Sequence, residues 1–222
     1  MKITTDVAII GGGVIGCSIA YYLSKAGVDV TLIERGDIAA EASGAAAGLL
    51  APLGSISRPG PFADFLLESW AMFPALVPVL EQASGIKLEY AQTGALRVMR
   101  NPKNVDNLRK RMNIWQPFGL EMYWLTGDEA RQQEALLAAD VSAALYAPQE
   151  GQILPASLTK ALAQAAQQQG AHLYSQCEVT NIVHAHGRIE QLITQQGDSI
   201  HCKTVIFSTG AWSERWSQTL GV

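Results

Sequence analysis

Residues that carry nucleophilic, acid–base or metal chemistry are scarce and scattered in this 222-residue sequence. Its three cysteines, Cys17, Cys177 and Cys202, form no CxxC pair, so neither a zinc site nor a redox-active dithiol is expected. An odd set of separated cysteines is typical of reduced thiols, and we expect a cytoplasmic protein. The sequence contains no convincing Ser/His/Asp, Cys/His or paired-carboxylate arrangement, so no catalytic residue is identified.

Histidine and net charge exclude further classes of protein. The four histidines all occur from His172 onward. His184 and His186 alternate beside Gly187, a pattern that favours a strand entering a hairpin over a pair of metal ligands. The net charge of −4 gives no reason to expect nucleic acid or an anionic membrane surface as a partner.

Long hydrophobic runs are also missing. Residues 7–24 carry no charge and resemble a signal peptide or membrane helix, but a glycine cluster interrupts them and Asp6 precedes them. Residues 69–80 are also uncharged, but this segment is short and contains Pro74 and Pro78. We therefore expect no targeting segment and no stable membrane insertion.

What the sequence does contain is a pattern typical of dinucleotide-binding β-α-β units, within its first 34 residues. Residues 7–10 predict a strand, residues 14–25 a helix, and residues 30–33 a second strand. A G-x-G-x-x-G pattern between the first strand and the helix is formed by Gly11, Gly13 and Gly16.

Each residue type in this pattern has a physical task. Gly11 permits a tight turn, Gly13 lets the backbone approach a pyrophosphate, and Gly16 lets helix and strand pack closely. The free N–H groups at the start of the helix favour phosphate. Glu34 ends the second strand, where a carboxylate can accept both ribose hydroxyls and disfavours a 2′-phosphate despite the adjacent Arg35. The pattern predicts a site for FAD or NAD rather than NADP.

The rest of the chain predicts a mixed α/β protein with an insertion. Small residues at 39–48 suit either a segment lying against a flat ligand or a short helix, and residues 61–84 predict helix kinked or divided at Pro74 and Pro78. Further strands are predicted at residues 93–100, 122–125, 143–147, 172–175, 178–184, 189–194 and 204–208. Further helices are predicted at about residues 101–115 and 156–169. Another helix is predicted to start at Thr126, which forms a capping box with Glu129.

Three segments carry a resemblance to a known family. Residues 6–23 contain the glycine pattern, Glu34-Arg35-Gly36 follows the second strand, and residues 43–52 have the sequence SGAAAGLLAP. Together they resemble the flavoproteins grouped with D-amino acid oxidase. Within this family the glycine oxidases of thiamine biosynthesis are the most similar, through AAAGLL at residues 45–50 and through residues 84–86 and 93–96. Residues 208–213, STGAWS, resemble the family's turn that returns to the flavin.

The resemblance implies FAD as the cofactor and a glutathione-reductase-type, Rossmann-like α/β domain with an inserted α+β substrate domain. We expect residues 1–85 and 150–222 to form the FAD-binding domain and residues 86–149 to belong to the substrate domain. The implied activity is oxidation of glycine or another small amino acid to an imino acid, with oxygen reduced to hydrogen peroxide. The residues implied to contact FAD are Gly11, Gly13, Gly16, Glu34, Arg35, Ala42, Ser43, Ala47, Gly48, Leu49, Val179, Gly210 and Trp212.

Members of this family are usually much longer than 222 residues. We therefore expect an N-terminal part without the C-terminal part, which in the family carries the arginine that binds the substrate carboxylate, and we expect this part to be inactive alone. One alternative is part of a D-amino acid dehydrogenase, which passes electrons to a quinone. The others are a non-catalytic nucleotide-binding module and an NAD-dependent dehydrogenase, for which the sequence offers no catalytic acid. The resemblance leaves the oligomeric state open, and a homo-oligomer is one of the states it allows.

Overall fold

The computed structural model describes residues 2–185 and 188–217. Within these residues the strands are β1 (Lys2–Ile10), β2 (Val30–Ile33), β3 (Leu49–Leu50), β4 (Ala95–Met99), β5 (Tyr123–Thr126), β6 (Ala143–Ala147), β7 (Gly151–Gln152), β8 (His172–Tyr174), β9 (Val179–Ala185), β10 (Arg188–Thr194) and β11 (Ser199–Phe207). The α-helices are α1 (Val14–Lys25), α2 (Ala42–Ala45), α3 (Pro61–Ala71), α4 (Phe73–Ser84), α5 (Val105–Trp115), α6 (Gly127–Gln133) and α7 (Pro155–Gln168). Short 3₁₀ helices are formed by Pro52–Gly54, Pro102–Asn104, Gln116–Phe118 and Gly210–Trp216.

These residues form an α/β fold that divides into two compact units. The first unit comprises residues 1–47, 77–88 and 154–222, and the second comprises residues 48–76 and 89–153. The expected FAD-binding part, residues 1–85 and 150–222, and the expected substrate part, residues 86–149, stay predictions. The two compact units have other bounds, since residues 48–76 and 150–153 lie in the second unit and residues 86–88 in the first. The physical reason is packing: Leu53, Ile56 and Ala63 are buried in one cluster with Trp115 and Leu145.

The first unit contains a six-stranded sheet in the order β8-β2-β1-β11-β10-β9. Strands β8, β2, β1 and β11 are parallel, whereas β10 is antiparallel to both β11 and β9. Strand β1 starts at Lys2, well before the predicted residue 7, because its polar first half pairs with Ser199–Cys202 of a β11 that is also longer than predicted. Ala8 and Ile10 lie in the cluster that contains Leu192, Ile200 and Trp216.

This strand order decides where a ligand can bind. In a parallel sheet the crevice lies outside the carboxyl ends of the strands, where the strand order reverses. Here β1 lies between β2 and β11, and these three strands end at Ile10, Ile33 and Phe207. Helix α1 follows the turn after β1 and packs against α7, and both helices bury small residues, among them Ala20 of α1.

The second unit contains a three-stranded antiparallel sheet, β4-β6-β5, and the two-stranded pair β3-β7. Trp115 of α5 is fully buried, and its Nε1–H donates to the Ile56 carbonyl at 2.8 Å. The Glu150 carboxylate is also fully buried. Its oxygens lie 2.6 and 2.9 Å from the two terminal guanidinium nitrogens of Arg97, and it accepts the Leu53 N–H at 3.0 Å.

The predicted helix at residues 61–84 is divided, but between Ala71 and Phe73 rather than at a proline. Pro74 occupies the first turn of α4, where a proline leaves no hydrogen bond unmade, and Pro78 lies inside that helix. Among the described residues, no single helix is long and apolar enough to cross a membrane. Only the bent pair α3–α4, taken together, has the length and composition of a membrane-crossing segment.

Removing the Glu150 carboxylate should destabilise the second unit. Glu150→Ala leaves the Arg97 guanidinium and the Leu53 N–H without their buried acceptor, and breaking a buried ion pair in this way costs about 3–5 kcal/mol. Urea unfolding followed by tryptophan fluorescence measures the loss. The control is Asp140→Ala, which removes the exposed partner of Arg100 and should have little effect. Equal losses in the two variants would show that the buried pair does not stabilise this unit.

Candidate functional site

A groove of about 440 Å³ lies in the first unit, at the carboxyl ends of β1, β2 and β11. Four chain segments line it, and all of them belong to this unit. They are the turn after β1, the chain that follows β2, the start of β9, and the 3₁₀ helix after β11, within residues 10–15, 33–43, 177–179 and 207–216. The groove therefore occupies the position that the strand order favours for a ligand.

The turn between β1 and α1 depends on glycine. Gly11 has a φ of +112°, and a Cβ built on it would lie 2.4 Å from the Ser208 carbonyl oxygen. A Cβ on Gly16 would lie 2.0 Å from the Gly11 carbonyl oxygen. On Gly13, a Cβ would reach 3.1 Å from Ser43 Oγ. The missing side chains thus allow the turn to pack against β11 and α1 while leaving its backbone open to the groove.

The start of α1 is suited to an anion. Gly13 is the N-cap residue and provides no side-chain cap, and the first turn of the helix carries no acidic residue. The Val14 N–H donates to Ser43 Oγ at 2.9 Å. Because a helix N-terminus carries partial positive charge and its first N–H groups have no partner within the helix, the N–H groups that follow Val14 suit an anion, and this end of the groove fits a diphosphate.

Glu34, the residue that follows β2, is fixed in place by two backbone groups. Its Oε2 accepts the Gly12 N–H at 2.6 Å, and its Oε1 accepts the Gly36 N–H at 2.8 Å. An ionised carboxylate has about four acceptor positions, so two remain for a pair of vicinal hydroxyls. Ribose binding by Glu34 stays a prediction from the sequence, which gave no indication of the two amides that orient the carboxylate.

Two arginines on the groove lining each contact a carboxylate and a tryptophan. Arg35 pairs with Glu41 at 2.8 Å, and its guanidinium carbon lies 3.9 Å from the centre of the Trp212 ring. Arg215 pairs with Glu178 at 2.6 Å and lies 5.2 Å from the ring of its neighbour Trp216. Arg35 and Trp212 are among the residues predicted from the sequence, whereas no local motif indicates the other four.

Ser208 fastens the end of β11 to the glycine turn. Its backbone N–H donates to the Ile10 carbonyl at 2.9 Å, and its Oγ lies 2.9 Å from that oxygen and 3.1 Å from the Gly11 carbonyl oxygen. The first residue of the STGAWS segment therefore helps to hold the turn in place. The following 3₁₀ helix, Gly210–Trp216, begins at the groove.

The structure brings together most of the residues predicted to contact the cofactor. The groove lining contains Gly11, Gly13, Glu34, Arg35, Ala42, Ser43, Val179, Gly210 and Trp212. Gly16 is buried beneath the turn, and Ala47 is exposed beyond α2. Gly48 and Leu49 belong to the second unit, where Gly48 accepts the Ile153 N–H and Leu49 lies in β3. Contact of any of these residues with a cofactor stays a prediction.

The environment of Cys17 suppresses the reactivity of its thiol. Burial, reinforced by the negative charge of Glu34, raises the pKa of the Cys17 thiol to about 12, so the reactive thiolate is nearly absent at neutral pH. Among the described residues, no cluster of three His, Cys, Asp or Glu side chains could hold a metal ion. His186 and Gly187, from the alternating pair and its turn, lie outside the described residues.

Glycine at position 16 should be indispensable to the turn. Gly16→Ala forces a Cβ into the Gly11 carbonyl, and overpacking of this kind costs about 1–3 kcal/mol or more. We expect a lower midpoint of thermal unfolding. Gly36→Ala is the matched control, because its Cβ would lie 3.7 Å from Glu34 Oε1, an ordinary contact, and its φ is not in the left-handed region. Similar midpoints for both variants would contradict the packing argument.

The raised pKa of Cys17 predicts a thiol that resists alkylation. At pH 8 only about one such thiol in ten thousand is ionised, whereas the unfolded thiol, with a pKa near 8.5, is ionised to roughly a quarter. Iodoacetamide treatment followed by peptide mass spectrometry should therefore find Cys17 unmodified in the native chain and modified in urea. Equal rates in the two states would show that Cys17 is not in this environment.

Comparison with known proteins gives a consistent result. Residues 6–222 match the family described as FAD dependent oxidoreductase. A glycine oxidase from Geobacillus kaustophilus is 34% identical over 98% of this chain and 57% of its own length. The structure of glycine oxidase from that organism superposes with a TM-score of 0.93 at 34% identity, covering 99% of this chain and 59% of the other. The structure of glycine oxidase from Bacillus cereus superposes with a TM-score of 0.89 at 36% identity. This match covers 97% of this chain and 58% of the other.

Proposed function

This chain belongs to the FAD-dependent oxidoreductase family, and on that premise we propose that it forms the FAD-binding part of an enzyme that oxidises a small amino acid. FAD is the cofactor of this family. The chain spans 57% of the length of the glycine oxidase from Geobacillus kaustophilus, so the activity of the whole protein is itself part of the proposal. The observation that carries it is the groove in which the glycine turn, the start of α1 and Glu34 meet.

Each part of the groove suits one part of FAD. The turn at Gly11 and Gly13, with the α1 N-terminus, would hold the diphosphate, and Glu34 would accept the hydroxyls of the adenosine ribose. Arg35 and Val179 would contact the adenine. The ribityl chain and flavin face would be lined by Ala42, Ser43, Ala47, Gly48 and Leu49. Gly210 and Trp212 would flank the cofactor from the other side of the groove, with Trp212 beside Arg35.

The proposed reaction converts glycine or another small amino acid to an imino acid, with oxygen reduced to hydrogen peroxide. Bound FAD supplies the two-electron redox chemistry, and the residues of this chain bind and orient it. Support for this substrate class comes from the similarity to glycine oxidases over nearly the whole chain. Peroxide production by the whole protein with glycine tests it. Electron transfer to a quinone without peroxide would favour a D-amino acid dehydrogenase.

We further propose that the two units differ in task. The first unit would bind FAD, and the second would form part of the substrate-binding domain. Because the relatives extend well beyond the matched region, we propose that these 222 residues bind FAD without oxidising an amino acid on their own. Cytoplasmic location and homo-oligomerisation stay predictions, the first of which rests on the three unpaired thiols.

Binding of FAD to the 222-residue chain tests the proposed site. Quenching of flavin fluorescence should saturate at one FAD per chain, and Glu34→Gln should weaken binding about tenfold or more, because hydrogen bonds to charged groups are worth roughly 1.5–3 kcal/mol. Glu121→Gln is the control, since Glu121 bonds to the exposed Tyr123 in the second unit.

A parallel titration with NAD distinguishes the proposed FAD site from the site of an NAD-dependent dehydrogenase. Binding of NAD without binding of FAD would overturn the proposal in favour of a nicotinamide-dependent enzyme. Loss of FAD affinity in Glu121→Gln equal to that in Glu34→Gln would show that the groove is not the binding site.

A further inference from the structure

Two walls of the groove come from distant parts of the chain and meet at one contact. The first wall is the chain that follows β2 and carries Arg35, and the second is the 3₁₀ helix Gly210–Trp216. The guanidinium of Arg35 lies 3.9 Å from the ring centre of Trp212. We call this contact the Arg35–Trp212 stack.

The Arg35–Trp212 stack has no role in the hydrophobic core. Trp212 is 43% exposed, whereas Trp216 in the same 3₁₀ helix is buried and packs 5.8 Å from Phe207, measured between ring centres. Trp216 therefore anchors the helix to the sheet. The position of Trp212 against Arg35 is left without a core-packing explanation, although both side chains line the groove.

The surroundings of Arg35 leave part of its guanidinium available to a ligand. A planar guanidinium presents two flat faces and an edge of N–H donors. Glu41 pairs with a terminal nitrogen of Arg35 at 2.8 Å, and Trp212 covers one face. A flat, electron-rich ring that enters the groove can stack on the second face, as aromatic rings do on arginine.

The chain order indicates which part of FAD that ring is. Glu34 would bind the adenosine ribose, and Arg35 is the next residue, so the adenine attached to that ribose lies within reach of the guanidinium. We propose that the Arg35–Trp212 stack is a positioning element that joins the two walls over the adenine half of FAD and slows release of the dinucleotide. This inference rests on the proposed function.

A double-mutant cycle on the 222-residue chain tests the contact. Arg35→Ala and Trp212→Leu should each raise the dissociation constant for FAD, by about twofold to fivefold for a half-exposed cation–π contact, mainly through faster release. In the Arg35→Ala background, Trp212→Leu should have no further effect. Arg35→Lys, which keeps the charge but not the planar face, should behave like Arg35→Ala.

The ligands and a second variant supply the controls. ADP, which carries the adenine half, should lose affinity as FAD does, whereas FMN, which lacks it, should bind all variants equally. Arg109→Ala removes a matched stack in the second unit, where the guanidinium lies 4.2 Å from the ring of Trp124, and should leave FAD binding unchanged. A general loss of structure would instead lower ADP and FMN affinity together.

The outcomes separate this inference from the proposed function. If the unaltered chain binds no FAD, the proposed function fails and the positioning role falls with it. If the unaltered chain binds FAD but the two substitutions are additive, have no effect, or weaken ADP and FMN equally, the positioning role is wrong and the FAD site stands.

Discussion

The close approach of the turn after β1 to α1 and β11 is the constraint on which the rest of the groove depends. No side chain fits at Gly16, where a Cβ would lie 2.0 Å from the Gly11 carbonyl oxygen, or at Gly11, whose backbone is left-handed. Because the turn is this tight, the Gly12 N–H can reach the Glu34 carboxylate, and Ser208 can reach two carbonyls of the turn. The tight glycine turn therefore places the N-terminus of α1, the carboxylate of Glu34 and the start of the chain after β11 around a single groove.

Within each unit a carboxylate accepts hydrogen bonds that fix its surroundings, with different consequences in the two cases. In the first unit the carboxylate of Glu34 is only partly buried, and its two backbone donors leave acceptor capacity for a ligand. In the second unit the carboxylate of Glu150 is fully buried, and Arg97 and a backbone N–H satisfy it. A carboxylate with spare acceptors at a groove suits binding, whereas a saturated and buried one suits fixing a fold. This contrast separates a site residue from a structural residue of the same type.

Much of the fold could be predicted because local patterns were strong. The predicted bounds of α1 and β6 match the structure, the capping box at Thr126 starts α6, and the resemblance to the flavoprotein family is confirmed by the match over residues 6–222. What could not be predicted depends on tertiary contacts. The first half of β1 has no apolar run and becomes a strand through pairing with β11. Residues 48–76 join the second unit because of packing around Trp115. The contacts of Arg35 with Trp212 and of Arg215 with Glu178 join segments that only the fold brings together.

The central claim is that the groove at the carboxyl ends of β1, β2 and β11 binds FAD. The most direct measurement is the absorption spectrum of the chain after incubation with FAD and removal of free flavin by gel filtration. The account predicts flavin bands in the near-ultraviolet and blue at one FAD per chain, lost in Gly16→Ala and kept in Gly36→Ala. A colourless, folded protein after the same treatment would contradict it.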